Sequence, residues 1–408
     1  MNSFKRGGWR GLLSSSLWVI SLSSASFGAP VSWDLGKLSQ PPLTYPVEAT
    51  EPGVKALFYE SVPWKGKPTR VFAYYGVPPH SEGAKLPAIV LVHGGQGSAY
   101  AEWVRLWNKR GYVAIAMDHF GNMPTAAAEE TPYRIQRPRN PNGGPSGDGG
   151  FSQVDEPMED QWTYQGVAAI ILANSFLRSQ PEVDADRVGL TGISWGGFLA
   201  SIVAGVDSRF RFVAPVYGCG FIGENPSWPP AFHGLNPVQA KKWSELWDPS
   251  HFLPHAQMPI LWVNSTNDIA FSLSAWQKST DIPIGPQTRV LRVRMPHGQS
   301  EGATPSEIGA FADAILEGGK PLAKVGNIVK SGKNTVSISF QTVVPIKKAE
   351  LNYTKDLGVW QERRWETIPA ALSGGGAKAK LPDGTHAYFF NLIDERGLTV
   401  SSRYDSVE

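Results

Sequence analysis

Six apolar runs constrain this chain more than any other feature: "LPAIVLVHG" (86–94), "YVAIAMD" (112–118), "ADRVGLTGIS" (185–194), "RFVAPVYG" (211–218), "MPILWVNS" (258–265) and "TRVLRVRM" (288–295). The first, second and fifth are continuously apolar rather than alternating, which predicts strands covered on both faces. Helical spacing fills several of the intervals, in "YAEWVRLWNKRG" (100–111) and "DQWTYQGVAAIILANSFLRS" (160–179), and follows the last run in "PSEIGAFADAILEGG" (305–319). Strands alternating with helices predict an α/β architecture: a mostly parallel sheet covered by helices. Two further strands, "ALFYESVPW" and "RVFAYYGVP", are joined by the polar turn "KGKPT" and lead into this region. One domain over 55–322 accommodates all of it.

The texture changes after residue 322. "NTVSISFQTVVPIKKAELNYTKD", "RWETIPAAL" and "THAYFFNLIDERGLTVSSRYDS" alternate apolar and polar residues between the turn signals "SGKN", "PDGT" and "DERG". That pattern predicts a small antiparallel, immunoglobulin-like β-sandwich over 326–408. Ahead of the α/β region, 30–54 is Pro-rich and aperiodic and reads as an arm on the body.

Residues 1–29 read as a signal peptide, with Lys5, Arg6 and Arg10 before a moderately apolar stretch. Serines at 14, 15, 16, 21, 23, 24 and 26 make that stretch a poor stable membrane anchor, and export to the periplasm or medium is the expectation. A formal net charge of +2 gives no electrostatic case for nucleic acid as a partner. The one cysteine, Cys219, permits no intramolecular disulfide; "VYGCGFIG" lacks a strand-to-helix setting and reads as a buried thiol rather than a nucleophile.

The chemistry centres on "RVGLTGISWGGFLASIVAG" (187–205), where Gly192-Ile193-Ser194-Trp195-Gly196-Gly197 joins a strand to a helix. With 43 glycines in the chain, a lone Gly-x-Ser-x-Gly carries little weight. Hydrolysis at a serine also needs a base, a group that orients the base, and donors for the oxyanion. Each has a candidate at a strand end. "HGGQG" after the first run offers the backbone N–H of Gly95 or Gln96, and the N–H of Trp195 opens the helix after Ser194. Asp268 follows "MPILWVNS", and His297 in "RMPHGQSEG" follows the next strand. Asp248 in "WDPSHF" is a rival acid with the look of a turn and cap, Asp281 comes after the intervening helix, and His93 precedes the serine and reads as structural.

With these motifs in the order Ser, Asp, His, the chain resembles the prolyl oligopeptidase-like, dienelactone hydrolase-like and acetyl xylan esterase-like group of bacterial α/β-hydrolases. The resemblance spans about 55–320 and is most specific in "LTGISWGGFLASIVAGVDSRFRFVAPVYGCGFI", "WDPSHFL" and "VRMPHGQSEG". It implies an α/β-hydrolase fold and carboxylic-ester hydrolysis without metal or organic cofactor, with Ser194, Asp268 and His297 in the catalytic positions. The departures are specific too. Ser194 stands where dienelactone hydrolases have cysteine, no propeller-sized segment precedes residue 55, and Gly95 replaces the aromatic usual in acetyl xylan esterases. The segment 220–247 reads as a short cap, whose Trp228, Trp243 and Trp247 offer either a sugar-stacking surface or packing onto the body. The expected function is a secreted serine esterase acting on a small ester or acylated carbohydrate such as xylan. An exported peptidase and an inactive binding protein are the alternatives, and the oligomeric state is open.

Overall fold

The computed structural model describes residues 1, 31–48, 51–125, 137–224, 234–332 and 334–406, so the expected leader, apart from Met1, lies outside the described residues. The strands run β1 (Thr44–Val47), β2 (Lys55–Trp64), β3 (Lys67–Gly76), β4 (Leu86–Val92), β5 (Val113–Met117), β6 (Val183–Ile193), β7 (Phe212–Val216), β8 (Ile260–Ser265) and β9 (Gln287–Arg292). They form a nine-stranded sheet in the order β1-β2-β3-β5-β4-β6-β7-β8-β9. From β5 onward every neighbouring pair is parallel, whereas β1, β2 and β3 pair antiparallel as a flank. This is the α/β-hydrolase arrangement.

The continuous apolar runs have their physical reason in this layout. Helices α1 (Leu35–Leu38), α2 (Ala101–Lys109), α3 (Trp162–Ser179), α4 (Trp195–Val206), α5 (Pro237–Trp247), α6 (Leu273–Thr280), α7 (Gln299–Ala303) and α8 (Ser306–Leu316) accompany the strands. Helices α3 and α4 pack together against β6, while Arg110 and Tyr112 after α2 bind Asp313 of α8 at 2.6 and 2.9 Å. Strands β4 and β5, with no wet face, are buried almost end to end. The segment read as an arm contributes β1 to the sheet edge, and Trp33 stacks on Tyr164 of α3 at 5.3 Å.

The C-terminal part is antiparallel throughout: β10 (Lys324–Val325), β11 (Val329–Ser331), β12 (Thr335–Gln341), β13 (Ile346–Thr354), β14 (Glu366–Ser373), β15 (Gly376–Lys380), β16 (Ala387–Asp394), β17 (Thr399–Ser401) and β18 (Asp405–Ser406). Strand β14 links its two halves, pairing through Glu366–Ala370 with β13 and through Ala371–Ser373 with β15. Strand β16 is buried almost end to end, with Phe389 packed on Trp365 at 5.4 Å and Asn391 reaching Leu291 O of β9. Ser401 and Asn391 cap the exposed edge of β9, the hydroxyl accepting from Leu291 N at 2.7 Å and the amide donating to Leu291 O at 3.2 Å. A bare edge strand is an aggregation template, and this cover removes it.

Candidate active site

Strand β6 ends at Ile193, and Ser194 turns the chain into α4 with φ 56° and ψ −118°, a left-handed backbone that a non-glycine residue adopts only when its surroundings enforce it. The turn is held from both sides: Ser194 N donates to Val216 O at 2.9 Å, and Phe198 N donates to Ser194 O at 2.8 Å. Gly196 explains the motif's spacing. A Cβ there would stand 2.2 Å from Val92 O and 2.4 Å from His93 O, so only glycine lets α4 start against the end of β4. The turn thereby sets Ser194 at the junction of β6 and α4, beside the first backbone N–H groups of the helix.

The ends of β8 and β9, beyond the intervening β7, bring in the other polar groups. His297 Nε2 lies 2.9 Å from Ser194 Oγ, and His297 Nδ1 lies 2.7 Å from Asp268 Oδ2. The second Asp268 oxygen accepts from Ala270 N at 2.9 Å and Phe271 N at 2.7 Å. Asp268 is thus a buried carboxylate whose oxygens are satisfied by backbone donors and by the imidazole, a condition for keeping a charge inside. The imidazole is gripped by aromatic rings, Tyr217 at 4.5 Å and Phe271 at 6.4 Å between centroids. Tyr217 itself has φ 58° and donates its hydroxyl proton to Pro296 O at 2.7 Å, next to His297.

On the other side of Ser194 lies the loop after β4. Gly97 N closes a turn onto Gly94 O at 3.3 Å, and Gln96 sits at φ 59°. Gln299, at the start of α7, accepts from Gly94 N at 3.2 Å and so ties this loop to the segment that carries His297. Nothing in the sequence singled out Gln299, because its partner is 205 residues away. Tyr100, Ile193 and Gln299, with Gly94, Gly95, Gly298, Ser194 and His297, line a small depression of about 270 Å³, its open mouth included.

The rival residues have other occupations. Asp248 caps its own turn and accepts from Phe221 N and Ile222 N at 2.8 Å each. Asp281 pairs with Arg289 and Arg403. His93 is buried under the loop after β4: Nδ1 faces Gly94 O at 2.6 Å, and the ring stacks on His119 at 4.1 Å. Burial drives His93 down to about 3 and lifts the carboxyl of Asp118, 3.3 Å from His93 Nε2, to about 6. Cys219 is buried, and burial pushes its thiol well above the ordinary range, away from nucleophilic chemistry.

The tryptophans correct one expectation. Trp243 and Trp247 are fully buried and offer no ring face to a sugar. Trp243 Nε1 donates to Gly149 O and Trp247 Nε1 to Gln161 Oε1, both at 2.7 Å, so they fasten α5 onto the 149–161 segment. In "KKWSELW" the two are four residues apart on one helix face, and that face turns inward. Trp228 lies outside the described residues. Trp195 is also inside, its ring edge-on to Trp162 at 5.5 Å and Phe198 at 5.1 Å.

Residues 45–222 match the family model described as acetyl xylan esterase (AXE1). Among solved structures, the chain is similar to an acetyl xylan esterase from Paenibacillus sp. R4, with 23% identity and a TM-score of 0.54, over 69% of this chain and 92% of that one. It is also similar to acetyl xylan esterase 1 from Thermoanaerobacterium sp. JW/SL YS485, with 15% identity and a TM-score of 0.50, over 71% of this chain and 94% of that one. At these identities the likeness is one of fold. No curated protein sequence matches the chain. Family match and fold together support a hydrolase of the esterase type.

Proposed function

We propose that this protein is an exported serine esterase that removes short acyl groups, acetyl above all, from carbohydrate such as xylan. The observation that carries the reading is the unbroken line from Ser194 Oγ through His297 to Asp268, with contacts of 2.9 and 2.7 Å. Ser194 Oγ attacks the acyl carbon while His297 Nε2 takes its proton. Asp268 accepts from Nδ1–H, holds the tautomer and stabilises the imidazolium. The backbone N–H groups of Trp195 and of Gly95 or Gln96 receive the oxyanion, which is where fixed donors lower the barrier most. His297 returns the proton to the departing sugar hydroxyl, leaving an acyl-serine. Water, deprotonated by the same imidazole, then releases the acid.

The acetylated polysaccharide comes from the names of the similar proteins, and export from the leader-like first 29 residues. The test is to offer acetylated xylo-oligosaccharides and prolyl-aminoacyl anilides side by side. Acetate release without aniline is the expected result, and aniline release without acetate would replace the esterase with a peptidase.

A further inference from the structure

Asn267, the residue before Asp268, reaches out of the hydrolase domain. Asn267 Nδ2 donates to Gln361 O at 3.0 Å and Arg363 O at 2.7 Å, with Trp360 O at 3.5 Å. All three carbonyls belong to one turn of the C-terminal domain, between β13 and β14. The amide's other end is fixed as well, because Thr266 Oγ1 donates to Asn267 Oδ1 at 2.7 Å. That hydroxyl in turn accepts from Arg294 N at 3.0 Å, in the turn at φ 53° that leads from β9 to His297. One continuous chain of hydrogen bonds therefore joins the C-terminal turn to both loops that carry Asp268 and His297.

The C-terminal turn is itself braced. Arg363 lies over the Trp360 ring at 4.5 Å and donates from Nε to Gly358 O at 3.0 Å, and Arg364 N donates to Asp356 Oδ2 at 2.7 Å. Trp360 packs on Trp365 and Tyr404 at 5.7 and 5.9 Å. The carbonyls are thus presented by a stiff support, and Thr266 and Asp268 on either side of Asn267 are buried.

We infer that the C-terminal domain is part of the catalytic apparatus, and that Asn267 is the positioning residue through which it sets the Asp268–His297 geometry. The inference rests on the serine-esterase reading above. A carboxylate displaced by about 1 Å costs up to roughly 10²-fold in rate without altering substrate binding. A residue that only glued two domains together would change stability instead.

The experiment compares Asn267→Ala and the isosteric Asn267→Asp with Arg396→Ala, using p-nitrophenyl acetate, with Ser194→Ala as reference. Arg396 makes a separate contact, donating at 2.7 and 3.1 Å to Lys320 O and Pro321 O in the segment that joins α8 to β10. The two Asn267 variants are expected to lose about 10- to 100-fold in kcat with KM within about twofold, and Arg396→Ala to keep wild-type kcat while its melting temperature falls. Wild-type kcat in both Asn267 variants, with Ser194→Ala inactive, would overturn the positioning role alone. Undiminished turnover by Ser194→Ala would overturn the parent reading and this one with it.

Discussion

Gly95 and Trp195 are fitted to each other: a Cβ on Gly95 would stand 2.7 Å from Trp195 Cδ1. The two carry the candidate oxyanion donors, one on the loop after β4 and one at the start of α4. The space over Gly95 is filled from the second position, by an indole wedged among Phe151, Trp162 and Phe198. Gly95→Ala forces the loop away from the indole. It should lower kcat by about tenfold or more while the protein stays folded, since removing one oxyanion donor costs on the order of 10²–10³. Trp195→Ala in the same chain should recover part of that loss; kinetics of the single and double variants measure it.

Gly196→Ala is a different case, because the added methyl meets the backbone oxygens of Val92 and His93 rather than a side chain that could turn away. The start of α4 would have to shift against β4. Overpacking of this kind costs about 1–3 kcal/mol or more, and activity should vanish along with it. Chemical denaturation and esterase assay together check both effects.

Asp118 gives a pH-dependent test. Its carboxyl is lifted by burial from 3.8 to about 6. Below about pH 4 the acid is neutral in both folded and unfolded chains, so it contributes no penalty. Between about pH 4 and 6 the unfolded chain ionises first, so native stability falls as pH rises, by on the order of 3 kcal/mol, and stays low above that window. Asp118→Asn cannot ionise, and an amide can still accept from Phe120 N and Asn122 N while turning a donor towards His93 Nε2. Its stability advantage over wild type should therefore grow from near zero at pH 4 to about 2–3 kcal/mol at pH 7. Burial holds His93 and His119 below the ordinary imidazole range in both proteins, and the opposing pull of the Asp118 carboxylate on His119 is present in the wild type alone. Urea unfolding at four pH values checks the curve; a flat difference would contradict the account.

Trp243→Phe removes the donor to Gly149 O and leaves that carbonyl buried without its indole partner. A loss of about 1–3 kcal/mol in stability is expected, with KM for acetylated xylo-oligosaccharide unchanged. A large rise in KM with stability intact would restore the sugar-stacking reading of this residue.

These cases also show what a single sequence could and could not say. The apolar runs predict a mostly parallel sheet covered by helices because strands buried on both faces leave an unbroken signature, as β4 and β5 do. The candidate site is readable because Ser194, Asp268 and His297 each follow a strand, and the ends of parallel strands converge on one edge of the sheet. Contacts between distant loops leave no such trace. Asn267 and Arg363 are 96 residues apart, Gly94 and Gln299 are 205 apart, and neither pair shows a period or a motif. Burial of a large aromatic on an amphipathic helix was equally ambiguous: the pattern of α5 fixes that Trp243 and Trp247 share a face, not whether that face looks at solvent or at Phe151 and Gln161.

The central claim is that Ser194 is the nucleophile, and the rate of p-nitrophenyl acetate hydrolysis by Ser194→Ala tests it most directly. The account expects turnover to fall by on the order of 10⁴- to 10⁶-fold in a protein with an unchanged melting temperature. Turnover within tenfold of wild type would contradict it and require another nucleophile in this fold.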